Sequence, residues 1–122
     1  MPGVLRALRG ATTLDEDSAE QVRGRVQELV ATMLERNEVD VEDLVSVIFT
    51  VTPDIVSGYP ATAARELGLD EVPLLGAVEA DVAGGLARCV RVLMHCYTER
   101  PRKDLRHVYL HGARSLRADL AG

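Results

Sequence analysis

The chain has 122 residues, 47% of them hydrophobic and 27% charged, with a formal net charge of −5. That length and balance describe one ordinary globular domain, residues 1–122, with enough surface to bury a single core. The negative charge, with no basic stripe to offset it, argues against a nucleic-acid binder; no apolar run is long enough to cross a membrane, and no charged segment followed by an apolar one marks a secretory leader.

Val4 to Ala11 alternates as a β-strand. Leu5, Ala7 and Arg9 then share one face, and Val4, Arg6 and Leu8 the other. Each face carries an arginine, so one is solvated and the other needs a reason. Residues 14–37 read as a helix, with Val22, Val26, Leu29, Val30, Met33 and Leu34 on one stripe. Ser18 with Gln21 resembles a capping box, Asp15, Glu16 and Asp17 suit the positive end of a helix, and Asn37 suits a left-handed C-terminal position. Asp40 to Asp43 reads as one helical turn. The β-branched run 44–52, LVSVIFTVT, is a strand stopped by Thr52-Pro53-Asp54. Pro60 opens a short helix that ends at Gly68. Pro73 leads into the strand LLGAVEA, and AGGL (83–86) is a break.

For residues 88–98, Leu86, Val90, Leu93, Met94 and Tyr97 fit a helical stripe, but the preceding Gly84-Gly85 and the run Cys-Val-Arg-Val-Leu favour a strand. Residues 104–110 give a last strand. The order β-α-β-α-β-β-β predicts the α/β class, a mixed sheet covered by helices in one domain. With so few aromatics (no Trp, one Phe, three Tyr), the core has to come from Val, Leu, Ile and Ala.

Four polar residues sit in segments that otherwise read as core: Arg9, Glu79, Arg91 and Tyr109. An unpaired buried charge costs several kcal/mol, roughly 3–5 when a partner is removed, so each needs a partner or a wet cavity. One reading is an internal salt bridge of Arg9 or Arg91 with Glu79. The other is an electropositive pocket for a small anion, since an arginine fork grips a carboxylate in a way lysine cannot. The remaining catalytic inventory is thin. Ser46, Ser57 and Ser115 lack a nucleophile-elbow context, and there is no dinucleotide or phosphate loop. His107 and His111 share a face if residues 104–110 continue as a strand, but a zinc site needs a third ligand, so no metal is expected. Cys89 and Cys96 lie an odd number of residues apart, so on one strand they face opposite sides and cannot bridge. They read as small core residues of a cytoplasmic protein.

The segments RGATT (9–13), TPD (52–54), YPATAARE (59–66), VPLLGAVEADVAGGLARCVRV (72–92), RHVYL (106–110) and LRADL (116–120) resemble the monofunctional, trimeric chorismate mutases of the AroH class, in order and spacing over nearly the whole chain. The resemblance implies the intramolecular Claisen rearrangement of chorismate to prephenate in phenylalanine and tyrosine biosynthesis, with no cofactor and no covalent intermediate. It implies a homotrimer forming a pseudo-α/β-barrel, with active sites between subunits. By position, Arg91 is similar to the family's arginine beside the ether oxygen. Arg9 and Tyr109 match groups that hold substrate carboxylate, and Glu79 matches the acceptor of the ring hydroxyl. Tyr59 stands at an aromatic wall, Arg65 and Arg117 at the rim, and Leu74, Leu75, Gly76 and Leu116 along the substrate-binding surface. Arg9 is then the pocket arginine and Arg6 the solvated one. Gly76 and Thr62 depart from the family's cysteine and lysine, and the tail after Leu120 is very short. A non-catalytic trimeric protein that binds a small anion is the competing reading.

Overall fold

The computed structural model describes residues 3–116. Strands β1 (Val4–Thr13), β2 (Leu44–Val51), β3 (Leu74–Val78), β4 (Cys89–Thr98) and β5 (Val108–Tyr109) form one sheet, and helices α1 (Ala19–Asn37) and α2 (Pro60–Leu67) connect its first three strands. The sheet order is β3-β2-β4-β1-β5. β4 is antiparallel to both β1 and β2; β3 runs parallel to β2, and β5 parallel to β1. The mixed sheet with packed helices is the one expected.

Both helices cover the same side. The α1 stripe of Val22, Val26, Leu29, Val30 and Met33 is buried in one cluster with Leu8, Val47, Phe49, Val90, Val92, Met94 and Cys96 from the sheet. Gly10 belongs to this side. A Cβ there would lie 2.5 Å from the Met33 sulfur, so the glycine lets the helix approach the strand closely. Among the described residues the other face is covered only at its β1–β5 end, where Tyr109, Ala113 and Leu116 bury Ala11 and Cys89; Leu5, Leu75 and Tyr97 are exposed on it at 51%, 62% and 41%.

Several local expectations change in detail. α1 starts at Ala19, not at residue 14, because Ser18 caps it by accepting from the Gln21 N–H at 3.2 Å. The Gln21 side chain reaches further back than a capping box, to the N–H groups of Asp15 and Glu16. The left-handed residue after α1 is Glu38, φ 53°, rather than Asn37. Asn37 is held in the helix because its amide pairs with Arg106 in both directions, donating to the carbonyl at 2.8 Å and accepting the N–H at 2.7 Å. The last strand shrinks from 104–110 to Val108–Tyr109. Pro101 starts a short 3-10 turn before it, and His111, φ 53°, turns the chain away after it. His107 and His111 therefore do not share a strand face.

The two arginines of β1 lie on the faces that alternation assigns, but their exposure is the reverse of the expectation. Arg6 is half-buried at the helix side, its Nε donating to the Arg100 carbonyl at 3.4 Å. Arg9 is exposed, because its face is the uncovered one.

Two carboxylates tie the loops to this frame. Asp17 accepts from the Ser57 hydroxyl at 2.6 Å and from the N–H groups of Val56 and Ser57. Asp54 accepts from the Thr52 hydroxyl at 2.5 Å and from the Arg88 N–H at 2.9 Å. The Ser57 hydroxyl above all holds the Asp17 carboxyl below its ordinary range, and the Thr52 hydroxyl does the same for Asp54. A carboxyl depressed in the folded state stabilises the fold above its unfolded pKa, and that contribution disappears as pH falls through the folded value. Urea midpoints should therefore drop as pH falls below about 4. Asp17→Asn and Asp54→Asn should lower the midpoint at neutral pH and flatten this acid slope.

Candidate active site

The strand registers place one row of residues across the uncovered face, spanning all five strands. Ala77 pairs with Thr50, Thr50 with Arg91, Arg91 with Ala11, and Ala11 with Tyr109. The next row is Leu75, Ile48, Leu93 and Arg9. Arg9 and Arg91 are thus diagonal neighbours on adjacent strands, within reach of one small molecule. These rows floor a cleft of about 370 Å³ lined by Arg9, Ala11, Ile48, Thr50, Arg91, Leu93, Tyr109 and Leu116, with Gly10 and Val92 at its base. The volume is that of a small-metabolite site.

Glu79 follows the end of β3, where its N–H continues the ladder to the Val51 carbonyl at 2.9 Å. Its carboxylate turns to the arginine row. Arg91 Nε lies 3.1 Å from Oε1 and 3.0 Å from Oε2, and the Thr50 hydroxyl donates to Oε2 at 2.7 Å. The Glu79 side chain is 18% exposed and that of Arg91 47%. The salt bridge that the sequence offered as one reading therefore exists, and its arginine also lines the cleft that the other reading required, while Glu79 faces a neighbouring cavity. Among the described residues, no carboxylate pairs with the Arg9 side chain. Its backbone N–H donates to Nδ1 of His107 at 3.0 Å, which fixes the first strand against the chain entering the last one.

The Tyr109 ring is buried with Ala11, Cys89 and Ala113, and Leu116 packs against this group. The segment that carries Leu116 is fastened at its start. The Leu110 N–H bonds to the Ala11 carbonyl, the Gly112 N–H to the Thr13 hydroxyl at 2.9 Å, and His111 pairs with Glu28 at 2.9 Å. Arg117 lies outside the described residues. Among those described, no three His, Cys, Asp or Glu side chains come together to hold a metal. His95 is engaged with the Ser46 hydroxyl at 3.2 Å.

The remaining sequence-derived residues lie elsewhere. Tyr59, Arg65 and Gly76 line a second cleft of about 660 Å³, between the start of α2 and the edge strand β3 on the helix-bearing side. Tyr59 is 79% exposed. Arg65 lies against the Thr62 hydroxyl at 3.3 Å, and a Cβ on Gly76 would meet nothing within 4 Å. Leu74 packs on the core, and Leu75 stands exposed on the open face. The two clefts share no residue. Sequence reasoning passed over Thr50, Ile48 and Leu93 in the first cleft. Their signal was alternation alone, every second residue of two strands on the arginine face.

The cleft thus carries two guanidinium groups and a tyrosine in its lining, with a carboxylate paired to one of the arginines. The chain belongs to the chorismate mutase type I family, whose model matches residues 5–120. It is 47% identical over 118 residues to chorismate mutase AroH of Thermus thermophilus, covering 96% of this chain and 97% of that one. It is 40% identical over 119 residues to the AroH of Bacillus subtilis (strain 168), covering 97% and 94%. A solved chorismate mutase from Clostridium thermocellum superposes with a TM-score of 0.89 at 42% identity, over 90% of this chain and 98% of that one. The competing reading of a non-catalytic anion binder has no support from these relatives.

Cys89 sits directly behind this site. Burial pushes its thiol up to about 11, although the neighbouring Arg91 cation pulls the other way. Cys96, buried on the opposite face, is also raised by burial. At pH 8 both thiols should resist a thiol-reactive disulfide reagent in the native protein, and both should react after denaturation in guanidinium. Fast labelling of Cys89 in the folded state would contradict the site as drawn.

Proposed function

We propose that this chain converts chorismate to prephenate at the cleft on the uncovered face of the sheet. In the reaction one C–O bond of the ether breaks while one C–C bond forms, within a single molecule and with no group transferred to the protein. The enzyme's work is then twofold. It holds the flexible substrate in its compact reactive conformer, and it places fixed positive charge where negative charge grows on the ether oxygen. Arg91 takes the second role. It is opposite Thr50 in the middle of the floor, and its bonds to Glu79 run from Nε, so the terminal nitrogens are not committed to that carboxylate. Arg9 and Tyr109 hold substrate carboxylate, and Glu79 accepts from the ring hydroxyl. The observation that carries the reading is that one row of the sheet brings Arg91, Tyr109 and Glu79's partner Thr50 together beside Arg9, in a chain of this family.

The proposed site is shared between subunits of a homotrimer. The second cleft, with Tyr59, Arg65 and Gly76, is separate from the first within one chain, and a single substrate meets both sets only where two copies adjoin. The exposed apolar residues of the open face support the same assembly, since a monomer rarely leaves such a surface uncovered. Arg117 and Leu116 belong to the entrance in this reading. The setting is cytoplasmic, in keeping with two unpaired, buried cysteines. Among the described residues no helix is long and apolar enough to cross a membrane.

A direct absorbance assay of chorismate loss tests the proposal. Arg91→Ala should lower kcat by roughly 10²–10³, the usual loss for one preorganised donor to a developing oxyanion. Arg91→Lys should also be severely impaired, because the charge remains but the fork does not. Glu79→Gln should lower kcat/KM, whereas Arg6→Ala, on the opposite face of β1, should leave activity nearly unchanged. A raised KM with kcat intact in Arg91→Ala would reduce Arg91 to an anchor and overturn the mechanism. Sedimentation at micromolar concentration should give a trimer, and an active monomer would overturn the shared site.

A further inference from the structure

The geometry points to Thr50 as a positioning residue for the rearrangement: its hydroxyl pins one oxygen of Glu79, so that the other is presented to the substrate and Arg91 is held in line. The inference rests on the reading of Glu79 and Arg91 as site residues. It begins with the near-symmetry of their contact. Arg91 Nε is 3.1 Å from Oε1 and 3.0 Å from Oε2. A single N–H shared almost equally by two oxygens fixes where the carboxylate is but not how it is turned. Glu79 is also poorly held by its own backbone. It stands one residue beyond β3, and the chain from it to Arg88 contains no helix or strand.

Thr50 removes the ambiguity. Its hydroxyl donates to Oε2 at 2.7 Å, and it is the residue directly opposite Arg91 on the adjoining strand. A hydroxyl on a β-branched residue in a strand has few rotamers, so its donor is fixed by the sheet rather than by a mobile side chain. Oε2 takes the Thr50 hydroxyl and also lies 3.0 Å from Nε, whereas Oε1 takes only the Nε hydrogen bond, so the lone pair left free on the carboxylate lies on Oε1. That oxygen is the one to accept a substrate hydroxyl. The same contact keeps Arg91 from rotating with Glu79, so one threonine sets the orientation of both the acceptor and the cation. The apolar requirement of the strand does not explain the residue, because valine would fill the same volume and β-strand preference.

The test compares Thr50→Val, Thr50→Ser and Glu79→Gln, singly and as the Thr50→Val/Glu79→Gln double variant, by chorismate absorbance at saturating and limiting substrate. A hydrogen bond to a charged group is typically worth enough to change a rate by about 10–100-fold, so Thr50→Val should lose on that order in kcat with little change in KM. Thr50→Ser, which keeps the hydroxyl, should recover most of the activity. In the Glu79→Gln background, Thr50→Val should cost far less than in the parent, because the group it orients has been altered. Unimpaired kcat in Thr50→Val beside an impaired Glu79→Gln would overturn the positioning role alone. Equal losses in both backgrounds would also overturn it. A Glu79→Gln variant with unchanged kcat/KM would instead overturn the reading of the site on which the inference rests. Should Thr50→Val fail to fold, the Ser variant still decides: a loss there matching Glu79→Gln would overturn the role assigned to the hydroxyl.

Discussion

The whole architecture depends on one constraint: two helices cover one face of a five-stranded sheet, and among the described residues most of the other is left open. Because side chains alternate along a strand, every residue of β1, β2 and β4 is thereby assigned either to the core or to the open face. Leu8, Val47, Phe49, Val92 and Met94 go to the helices. Arg9, Thr50, Arg91 and Leu93 go to the cleft. A slip of β1 by one residue against β4 would turn Leu8 to the open face and Arg9 under α1. The well-packed side, with Gly10 against Met33 and the α1 stripe over the strands, is what holds the arginine-bearing side in register.

The Arg91–Glu79 pair has little value as a stabilising element. With Arg91 nearly half exposed, an ion pair of this kind contributes on the order of 0–1 kcal/mol. Its weight lies in geometry. The cation and the carboxylate stand at fixed places beside the cleft, the kind of preorganisation that the proposed reaction calls for. The supports for that geometry are uncharged: the Thr50 hydroxyl, the Val51 carbonyl under the Glu79 N–H, and the His107 ring on the Arg9 N–H. Likewise the segment bearing Leu116 is fastened through Ala11, Thr13 and Glu28, on the first strand, just beyond the arginine, and on the helix beside it.

How legible these features were in the sequence depended on how much each residue departs from its surroundings. Arg9, Arg91 and Glu79 stood out because charge interrupts apolar strands. Thr50 did not, because threonine is an ordinary strand residue and its partner is 29 residues away. Alternation puts His107 on a strand face, whereas its ring takes the N–H of a residue 98 positions earlier. The exposure of the two β1 arginines was inverted for a related reason. Alternation separates two faces but cannot say which one a helix will cover.

The sequence by itself determined the elements and their faces, since hydrophobic period, capping residues and turn residues act over a few positions and need no knowledge of the fold. It also carried the family resemblance, because that resides in the order of short segments along the chain. Only the tertiary structure decided which residues become neighbours. The sheet order puts Tyr109 of the last strand and Thr50 of the second on either side of Arg91 and Ala11. The same folding separates Tyr59, Arg65 and Gly76 from that row, on the far edge of the chain. The physical reason is that long-range strand pairing is set by the packing of the whole core, and no local pattern specifies which strands meet.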